Sequence, residues 1–447
     1  MLWWLLLVQL IGTDATRLRA RNSAHVQDNV DFRLTLTNHD NVQYTAPFSV
    51  GQQVLPVIYD TGSFEIIVLS TLCTTCSGDQ AVYDSTKSTS FVASDLQAQH
   101  QFGSGPVLSQ MGFEAVHLGD LSSPLAASSV PFWQVVDHNI DVWNAQAHFS
   151  GIVGLGHTPE VPQGFGAEAT SEEKTLLERL QIESFALCLR RGSDLPPGYL
   201  AFGPRVDSAI TPGMGFHALE VVGHVHWGIR MMNFEVPGTN VDPICQPSCG
   251  AIVDSGTSLI AVPPSAEPLV NALAQLIKED CSNVGSLPVL RFQLDGSILE
   301  LPPQAYVMKV VPSQQNNSVW GRIFGSPARS TEPACVLAFM TIDKTSEFGP
   351  VWVLGMPFLR YYHTVFDRAA KKVHISPSSP TCELTSVSQP TVLVNTSALN
   401  GGAAQATRVA AAAYRKEDFE PMAVNLDAIR MPSWANASKD SLKSIAL

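Results

Sequence analysis

Charged residues are scarce in this sequence of 447 residues, since Asp, Glu, Lys and Arg together make up 15% of it, against about 25% in ordinary soluble domains. Most of the charges are acidic, and the formal net charge at pH 7 is −13. An acidic chain repels phosphate backbones, so we expect no nucleic-acid partner. Hydrophobic residues make up 45%, the usual globular share. At roughly 100 to 200 residues per domain, the length predicts two or three packed domains.

The sequence also lacks an apolar run long enough to cross a membrane, which takes about 20 residues. The stretch at 2–12 (LWWLLLVQLIG) is shorter and is typical of a cleaved signal peptide. We therefore assign residues 1–15 to a signal peptide and residues 16–40 to a short N-terminal or pro segment. The expected location is the secretory pathway, with no stable membrane span.

Cysteine is infrequent, with 8 residues in the chain, too few for a scaffold held by disulfides alone. In an exported chain this even number predicts four disulfide bridges. Cys73 and Cys76 are also spaced like a redox or zinc-binding pair, but no second ligand pair stands at zinc-finger spacing. His224 and His226 alternate with a valine, which is more typical of one strand face than of a metal site. We predict no metal.

Helical patterns are rare as well and are confined to residues 171–180 and 265–279. Short runs of strand-forming residues recur instead between Gly, Pro, Asn, Asp and Ser, among them 31–37, 48–50, 54–59, 66–69 and 251–253. Runs of this length bounded by turn residues predict strands. The chain is therefore expected to be mostly β.

One short motif occurs twice in the sequence. Val57–Ser63 (VIYDTGS) resembles Ala251–Thr257 (AIVDSGT). Each copy is followed at a similar distance by two aliphatic residues and a glycine, at 152–154 and at 353–355. Two homologous lobes explain both pairings at once, whereas a solenoid would need at least three shorter repeats.

Each copy of the motif places an aspartate between an apolar strand and a small, turn-forming pair. The strand delivers the carboxylate to the end of a sheet, and glycine lets neighbouring backbone approach closely. One copy is weak evidence, because Asp before Thr or Ser and Gly is often a plain turn. Two copies in matching contexts predict a pair of symmetric aspartates, Asp60 and Asp254. A structural carboxylate pair in a two-domain β protein without a cleft is the alternative.

From about residue 42 to 376 the sequence resembles the pepsin-like aspartic proteases. The strongest match runs from Trp352–Gly355 (WVLG) through Tyr362–Arg368 (YHTVFDR), which is similar to the closing strands of that family. Cys245–Cys249 (CQPSC) matches the family's small disulfide loop in spacing. The resemblance implies a mostly β, bilobal fold with two homologous lobes and the active-site cleft between them. We place the lobes at 41–209 and 210–380, followed by a low-complexity, disordered tail at 381–447 with at most one short helix.

The resemblance implies an aspartic endopeptidase that binds an extended peptide in the cleft. Asp60 and Asp254 would share a proton and titrate as a coupled pair, and aspartic proteases are the standard example of such a pair. One carboxylate activates a water molecule and the other carboxyl donates to the peptide carbonyl oxygen, so no cofactor is required. We expect a monomer whose partner is a peptide or protein substrate. The alternative is a catalytically silent, pepsin-like binding protein.

The same resemblance implies residues that support the pair of Asp60 and Asp254, called the dyad below. They are Thr61, Gly62, Ser63, Ser255, Gly256 and Thr257. The hydroxyl groups of Thr61 and Ser255 are expected to bond to the backbone of the opposite lobe. Those of Ser63 and Thr257 are expected to hydrogen-bond the carboxylates and to influence their protonation.

The family closes its cleft with a hairpin flap, here matched by Phe102, Gly103 and Ser104. Phe102 stands where the family has a tyrosine, and Ile67 stands where it has that tyrosine's tryptophan partner. Losing both partners together leaves no polar group unsatisfied, whereas losing one would cost about 1 to 3 kcal/mol if buried. We expect Phe102 to cover the substrate by apolar contact against Ile67.

The remaining expectations concern modification and location. The resemblance implies disulfides Cys73–Cys76 and Cys245–Cys249, and we add Cys281–Cys335 and a possible Cys188–Cys382. Asn316, Asn395 and Asn436 begin glycosylation sequons, so a glycoprotein is expected. The protein is expected to be secreted or to reside in an acidic endolysosomal or vacuolar compartment.

Overall fold

The computed structural model describes most of the chain between residues 31 and 382 and three short strands after it. The described residues are 31–76, 80–102, 105–140, 143, 147–156, 174–190, 198–211, 215–238, 244–311, 334–378, 382, 392–395, 405–409 and 423–425. Side chains at 101, 102 and 311 and in the last three strands lie outside this description.

Short strands make up most of the described fold, which confirms the predicted mostly β class. The strands of the first half are β1 (Phe32–His39), β2 (Gln43–Val50), β3 (Gln53–Asp60), β4 (Ile66–Leu69), β5 (Val92–Phe102), β6 (Gly105–His117), β7 (Ala126–His138), β8 (Gly151–Gly154), β9 (Ser184–Cys188) and β10 (Gly198–Phe202).

The strands of the second half are β11 (His217–Glu220), β12 (Gly228–Glu235), β13 (Cys249–Val253), β14 (Ile260–Val262), β15 (Leu290–Leu294), β16 (Ser297–Leu301), β17 (Val307–Val311), β18 (Ala334–Leu337), β19 (Phe339–Thr341), β20 (Thr345–Ser346), β21 (Gly349–Leu354), β22 (Tyr362–Asp367), β23 (Lys372–Pro377), β24 (Val392–Asn395), β25 (Gln405–Val409) and β26 (Ala423–Asn425). The described helices are Leu176–Arg179, Pro204–Ala209, Glu267–Ala274, Pro303–Tyr306 and Met356–Leu359, with 3-10 turns at Ser85–Lys87, Pro264–Ala266 and Val284–Ser286. None of these described helices is long and apolar enough to cross a membrane.

The first lobe places the strand that carries Asp60 inside a sheet. β3 lies between β2 and β8 and pairs in parallel with β8, so that Asp60 stands beside Gly154. β4 pairs antiparallel with β8 and in parallel with β7. The chain therefore leaves β3 at Asp60, turns, and returns on the far side of β8.

The second lobe repeats this arrangement. β13 pairs in parallel with β21, with Val253 beside Leu354. β14 pairs antiparallel with β21 and in parallel with β19. The duplicated sequence motif therefore corresponds to a duplicated topology, and the prediction of two homologous lobes is confirmed.

A shared sheet joins the two lobes, with its strands in the order β11-β23-β22-β9-β10-β1. β9, from the first half of the chain, pairs antiparallel with β22, near the end of the second. The rings of Phe185 and Phe366 stack across this pair with centroids 4.8 Å apart. They belong to one apolar core that runs through both lobes, and burying a side chain of this size contributes about 1.5 to 3 kcal/mol.

All eight cysteines form disulfides, namely Cys73–Cys76, Cys188–Cys382, Cys245–Cys249 and Cys281–Cys335. The Cys188–Cys382 bridge ties β9 to the segment that follows β23. It thereby reinforces the shared sheet.

The two ends of the fold differ from expectation. β1 (Phe32–His39) agrees with the strand predicted at 31–37, but it lies within the segment assigned to a short N-terminal or pro region and pairs with β10 and β2. The tail, expected to be unpacked, contributes β25, which pairs in parallel with β16, and β26, which pairs in parallel with β17. Both segments pair with strand edges that belong to other parts of the chain, and such pairing partners cannot be identified from the local pattern.

Candidate active site

Two matching turns deliver the aspartates to the junction of the lobes. Asp60 ends β3 and Asp254 directly follows β13, and both side chains are fully buried. The backbone N–H of Leu155 donates to the carbonyl of Asp60 at 2.8 Å, and the N–H of Asp254 donates to the carbonyl of Leu354 at 3.2 Å. The strands that carry the two aliphatic-glycine motifs thus hold the backbone of both aspartates.

The glycines of those motifs make this close packing possible. A Cβ on Gly154 would lie 2.4 Å from the Cα of Phe64, and one on Gly355 would lie 2.1 Å from the carbonyl oxygen of Leu259. Real Cβ atoms do not approach backbone so closely, so only glycine fits beside each turn.

Each carboxylate accepts two hydrogen bonds from its own turn. For Asp60 the donors are the Gly62 N–H, at 2.9 Å from Oδ1, and the Ser63 hydroxyl, at 2.7 Å from Oδ2. For Asp254 they are the Gly256 N–H and the Thr257 hydroxyl, both at 2.6 Å. These donors fix the plane of each carboxyl group and stabilise its ionised form.

The two carboxyl groups face each other across the lobe junction. A Cβ on Gly62 would lie 2.6 Å from the Asp254 carboxyl carbon, and one on Gly256 would lie 2.1 Å from Oδ1 of Asp60. Burial, followed by the charge of Asp60 and a hydrogen bond between the two side chains, raises the pKa of Asp254 well above its ordinary value. Two close, buried carboxyls cannot both ionise easily, so the pair retains a proton.

A reciprocal set of hydrogen bonds locks the two turns together. The Thr61 hydroxyl donates to the Val253 carbonyl at 3.0 Å and accepts from the Ser255 N–H at 2.9 Å. The Ser255 hydroxyl donates to the Tyr59 carbonyl at 2.7 Å and accepts from the Thr61 N–H at 3.0 Å. Each hydroxyl therefore bridges to the backbone of the opposite lobe.

An imidazole also lies beside the dyad, a position that the sequence did not indicate. His224 and His226 fall in a bend before β12 and not in a strand, with His224 exposed and His226 buried. Burial lowers the pKa of His226 to about 4, although a hydrogen bond to the Gly62 backbone and the charge of Asp60 act in the opposite direction. His226 is therefore neutral over most of the pH range.

The residues expected to form the flap fall in the hairpin formed by β5 and β6. Phe102 ends β5 and pairs with Gly105, but its side chain, together with Gly103 and Ser104, lies outside the described residues. Ile67 is buried in β4 within an apolar cluster that includes Val107 and Trp143. The expected contact between Phe102 and Ile67 stays a prediction.

One group of possible metal ligands occurs in the described part of the chain: Cys73, Cys76 and His138. The two sulfur atoms are joined in a disulfide. Because a thiolate is the form that binds metal, this group cannot act as a metal site while the bond is intact.

The two lobes, each with a parallel strand pair beside its aspartate, define the fold of the pepsin-like proteases. Residues 43–378 match the model of the eukaryotic aspartyl protease family, and the chain belongs to that family. It is 28% identical to renin of Rattus norvegicus over 380 residues, covering 81% of this chain and 87% of that protein. It is 28% identical to cathepsin D of Chionodraco hamatus over 351 residues, covering 76% and 82%. It is 26% identical to pepsin A of Gallus gallus over 355 residues, covering 77% and 86%. This membership supports a peptidase function with peptide substrates.

Proposed function

We propose that the protein is an aspartic endopeptidase that hydrolyses peptide bonds with a water molecule activated between Asp60 and Asp254. The observation that carries the proposal is the close approach of the two buried carboxyl groups, since a Cβ on Gly62 would lie 2.6 Å from the Asp254 carboxyl carbon and one on Gly256 would lie 2.1 Å from Oδ1 of Asp60. The raised pKa of Asp254 agrees with this geometry. A proton held between two carboxyls gives the site one acid and one base at the same time.

The roles of the two aspartates follow from their protonation. The carboxyl that holds the shared proton donates it to the carbonyl oxygen of the scissile peptide. The ionised carboxylate of the pair accepts a proton from the attacking water. When the C–N bond of the tetrahedral intermediate breaks, the carboxyl that took up the water's proton passes it to the leaving amine, and the other carboxylate regains a proton from a hydroxyl of the intermediate. Because His226 is neutral, it places no positive charge beside Asp60.

The supporting hydroxyls and glycines contribute by preorganisation. The carboxylate donors and the Thr61 and Ser255 bridges hold both acids in place before substrate binds, so that little reorganisation is needed during the reaction. The substrate lies extended under the hairpin of β5 and β6, with Phe102, Gly103 and Ser104 as the proposed flap. The four disulfides support a location in the secretory pathway, where such bonds persist.

A cleavage assay tests this proposal directly. Purified protein is incubated with a diverse peptide library from about pH 3 to 7, with and without a statine-type peptide inhibitor, and the products are identified by mass spectrometry. We expect inhibitor-sensitive cleavage that falls by at least roughly 10²- to 10⁴-fold in Asp60→Asn and Asp254→Asn. The exposed Asp280 provides the control Asp280→Asn, which should cleave normally. Binding of the inhibitor without any cleavage would instead identify a catalytically silent family member.

A further inference from the structure

Glu65 connects the turn at Asp60–Ser63, called the dyad turn below, to the rest of the first lobe. It follows the Asp60 turn in the chain, and its backbone carbonyl accepts a hydrogen bond at 2.8 Å from Gly154, which lies beside Asp60 in the sheet. The backbone position of Glu65 is therefore fixed relative to the dyad.

The side chain of Glu65 makes two further polar contacts. Its Oε2 lies 3.0 Å from Nδ1 of His100 on β5, and its Oε1 accepts a hydrogen bond at 3.1 Å from the indole Nε1 of Trp133 on β7. An ionised carboxylate only accepts hydrogen bonds, so Nδ1 of His100 carries the proton in this contact. One carboxylate thus joins the dyad turn to two different strands.

The cluster of Glu65, His100 and Trp133 is well suited to hold a fixed geometry. The His100 ring meets Trp133 edge to face, with centroids 4.9 Å apart, and the His100 side chain is only 10% exposed against 29% for Glu65. Partial exclusion of water strengthens a charge-assisted hydrogen bond relative to an exposed ion pair.

The position of His100 gives the cluster a role in the hairpin. β5 is the edge strand of its sheet in the described part of the chain, and His100 lies just before Phe102, opposite Val107. At His100 the backbone of β5 pairs with β6, while the His100 side chain contacts Glu65, which follows the Asp60 turn. If the hairpin moves away from the dyad, either the contact between His100 and Glu65 must break or Glu65 must move with the hairpin.

We propose that Glu65, His100 and Trp133 are positioning residues that hold the flap hairpin over the dyad. This inference rests on the proposed function. The sequence has Phe102 and Ile67 where the family's flap tyrosine and its tryptophan partner are expected, so that polar link cannot form. The carboxylate cluster supplies a different polar link between the same hairpin and the dyad turn.

Two substitutions of His100 separate hydrogen bonding from packing. His100→Phe keeps an aromatic ring against Trp133 but removes the contact with Glu65. His100→Asn gives up the ring but keeps an amide N–H close to the position of Nδ1. We expect kcat/KM and the affinity for a statine-type peptide to fall roughly 10- to 100-fold in His100→Phe and to stay within a few-fold of wild type in His100→Asn. The opposite order would show that the ring acts by packing and would overturn the proposal.

A second buried histidine provides a matched control. His374 on β23 contacts Asp367 at 3.5 Å, with similarly small exposures of 10% and 13%, and it lies in the shared sheet. His374→Phe should leave kcat/KM unchanged, and an equal loss there would overturn the proposal.

In a double-mutant cycle with Glu65→Gln, His100→Phe should add little further loss, whereas additive losses would contradict the coupling. Absence of cleavage by the wild-type protein would refute the proposed function itself, and inhibitor affinity would then still report on the hairpin.

Discussion

Gly256 is required at its position by contact with the opposite lobe. Its N–H donates to Asp254 at 2.6 Å, while a Cβ at this residue would lie 2.1 Å from Oδ1 of Asp60. The same residue therefore holds one carboxylate and leaves room for the other. Gly62 has the equivalent relation to Asp254.

We predict that Gly256→Ala abolishes most of the proposed activity. The added methyl group must push the Asp60 carboxyl away, and a misplacement of about 1 Å costs on the order of 10²-fold in rate. Gly285, where a Cβ would meet nothing within 4 Å, provides the control Gly285→Ala, which should cleave at the wild-type rate. Steady-state kinetics on one peptide substrate measures both, and a fully active Gly256→Ala would contradict the described geometry.

At the residue scale, the site residues that could be predicted from the sequence are those that belong to the repeated motif. Asp60, Asp254 and the hydroxyls beside them stand at equal positions in two copies, so their convergence could be inferred. Glu65, His100 and Trp133 are ordinary residue types far apart in the chain, and they meet only because β4, β5 and β7 belong to one sheet. The position of His226 beside Gly62 likewise depends on the folded chain.

The two turns that carry the dyad act as one element, because each is completed by a hydroxyl from the other lobe. The Thr61 hydroxyl satisfies both the Val253 carbonyl and the Ser255 N–H. All of these groups are buried, so a lost partner is not replaced by water without cost.

We predict that Thr61→Val destabilises the protein by about 1 to 3 kcal/mol, the cost of leaving a buried polar group unsatisfied, and that it lowers the proposed activity. Thr61→Ser keeps the hydroxyl, as Ser255 does at the equivalent position, and should be nearly neutral. Urea unfolding at neutral pH gives both free energies of unfolding. Equal stability of the valine and serine variants would show that the bridge contributes nothing.

Among the elements, strands with a local pattern agreed with the sequence, whereas the end of the helix and the pairing partners of the terminal strands did not follow from it. The runs at 54–59 and 66–69 correspond to β3 and β4. The helix expected over 265–279 is present only as Glu267–Ala274, with Leu276 exposed, because the chain changes to tighter turns after Ala274 and the Asn283 side chain donates to the Leu276 carbonyl. Local hydrogen bonds thus mark the end of the helix, whereas contacts with distant strands set the pairing of β1, β25 and β26.

Buried imidazoles link the stability of the whole molecule to pH. Burial lowers the pKa of His226 to about 4, and burial together with the charge of Arg33 lowers that of His363 to about 3. Below about pH 6.5 the unfolded chain takes up protons at these residues that the folded protein does not. Their contribution to stability is complete above about pH 6.5 and is lost as the pH falls toward about 4 for His226 and about 3 for His363. Asp254, with its raised pKa, acts in the opposite sense, because its contribution is lost as the pH rises.

We predict that His363→Gln reduces the loss of stability between pH 7 and 4 by up to about 3 kcal/mol, since each unit of pKa shift corresponds to about 1.4 kcal/mol. The variant starts from a lower stability at pH 7, because His363 contacts the Tyr199 hydroxyl at 3.2 Å, so the slope with pH is the informative quantity. The exposed His224 provides the control His224→Gln, which should follow the wild-type slope. Denaturant midpoints at several pH values decide the matter, and parallel curves for wild type and His363→Gln would refute the prediction.

The shared sheet determines when the molecule can be completed during its synthesis. β9 is translated long before its partner β22, so the first lobe leaves the ribosome with an open strand edge of the kind that invites misassembly. Pairing over such a sequence separation is slow, because a long loop must close first. The dyad therefore forms only in the finished chain, and under the proposed function no partly made copy can digest another.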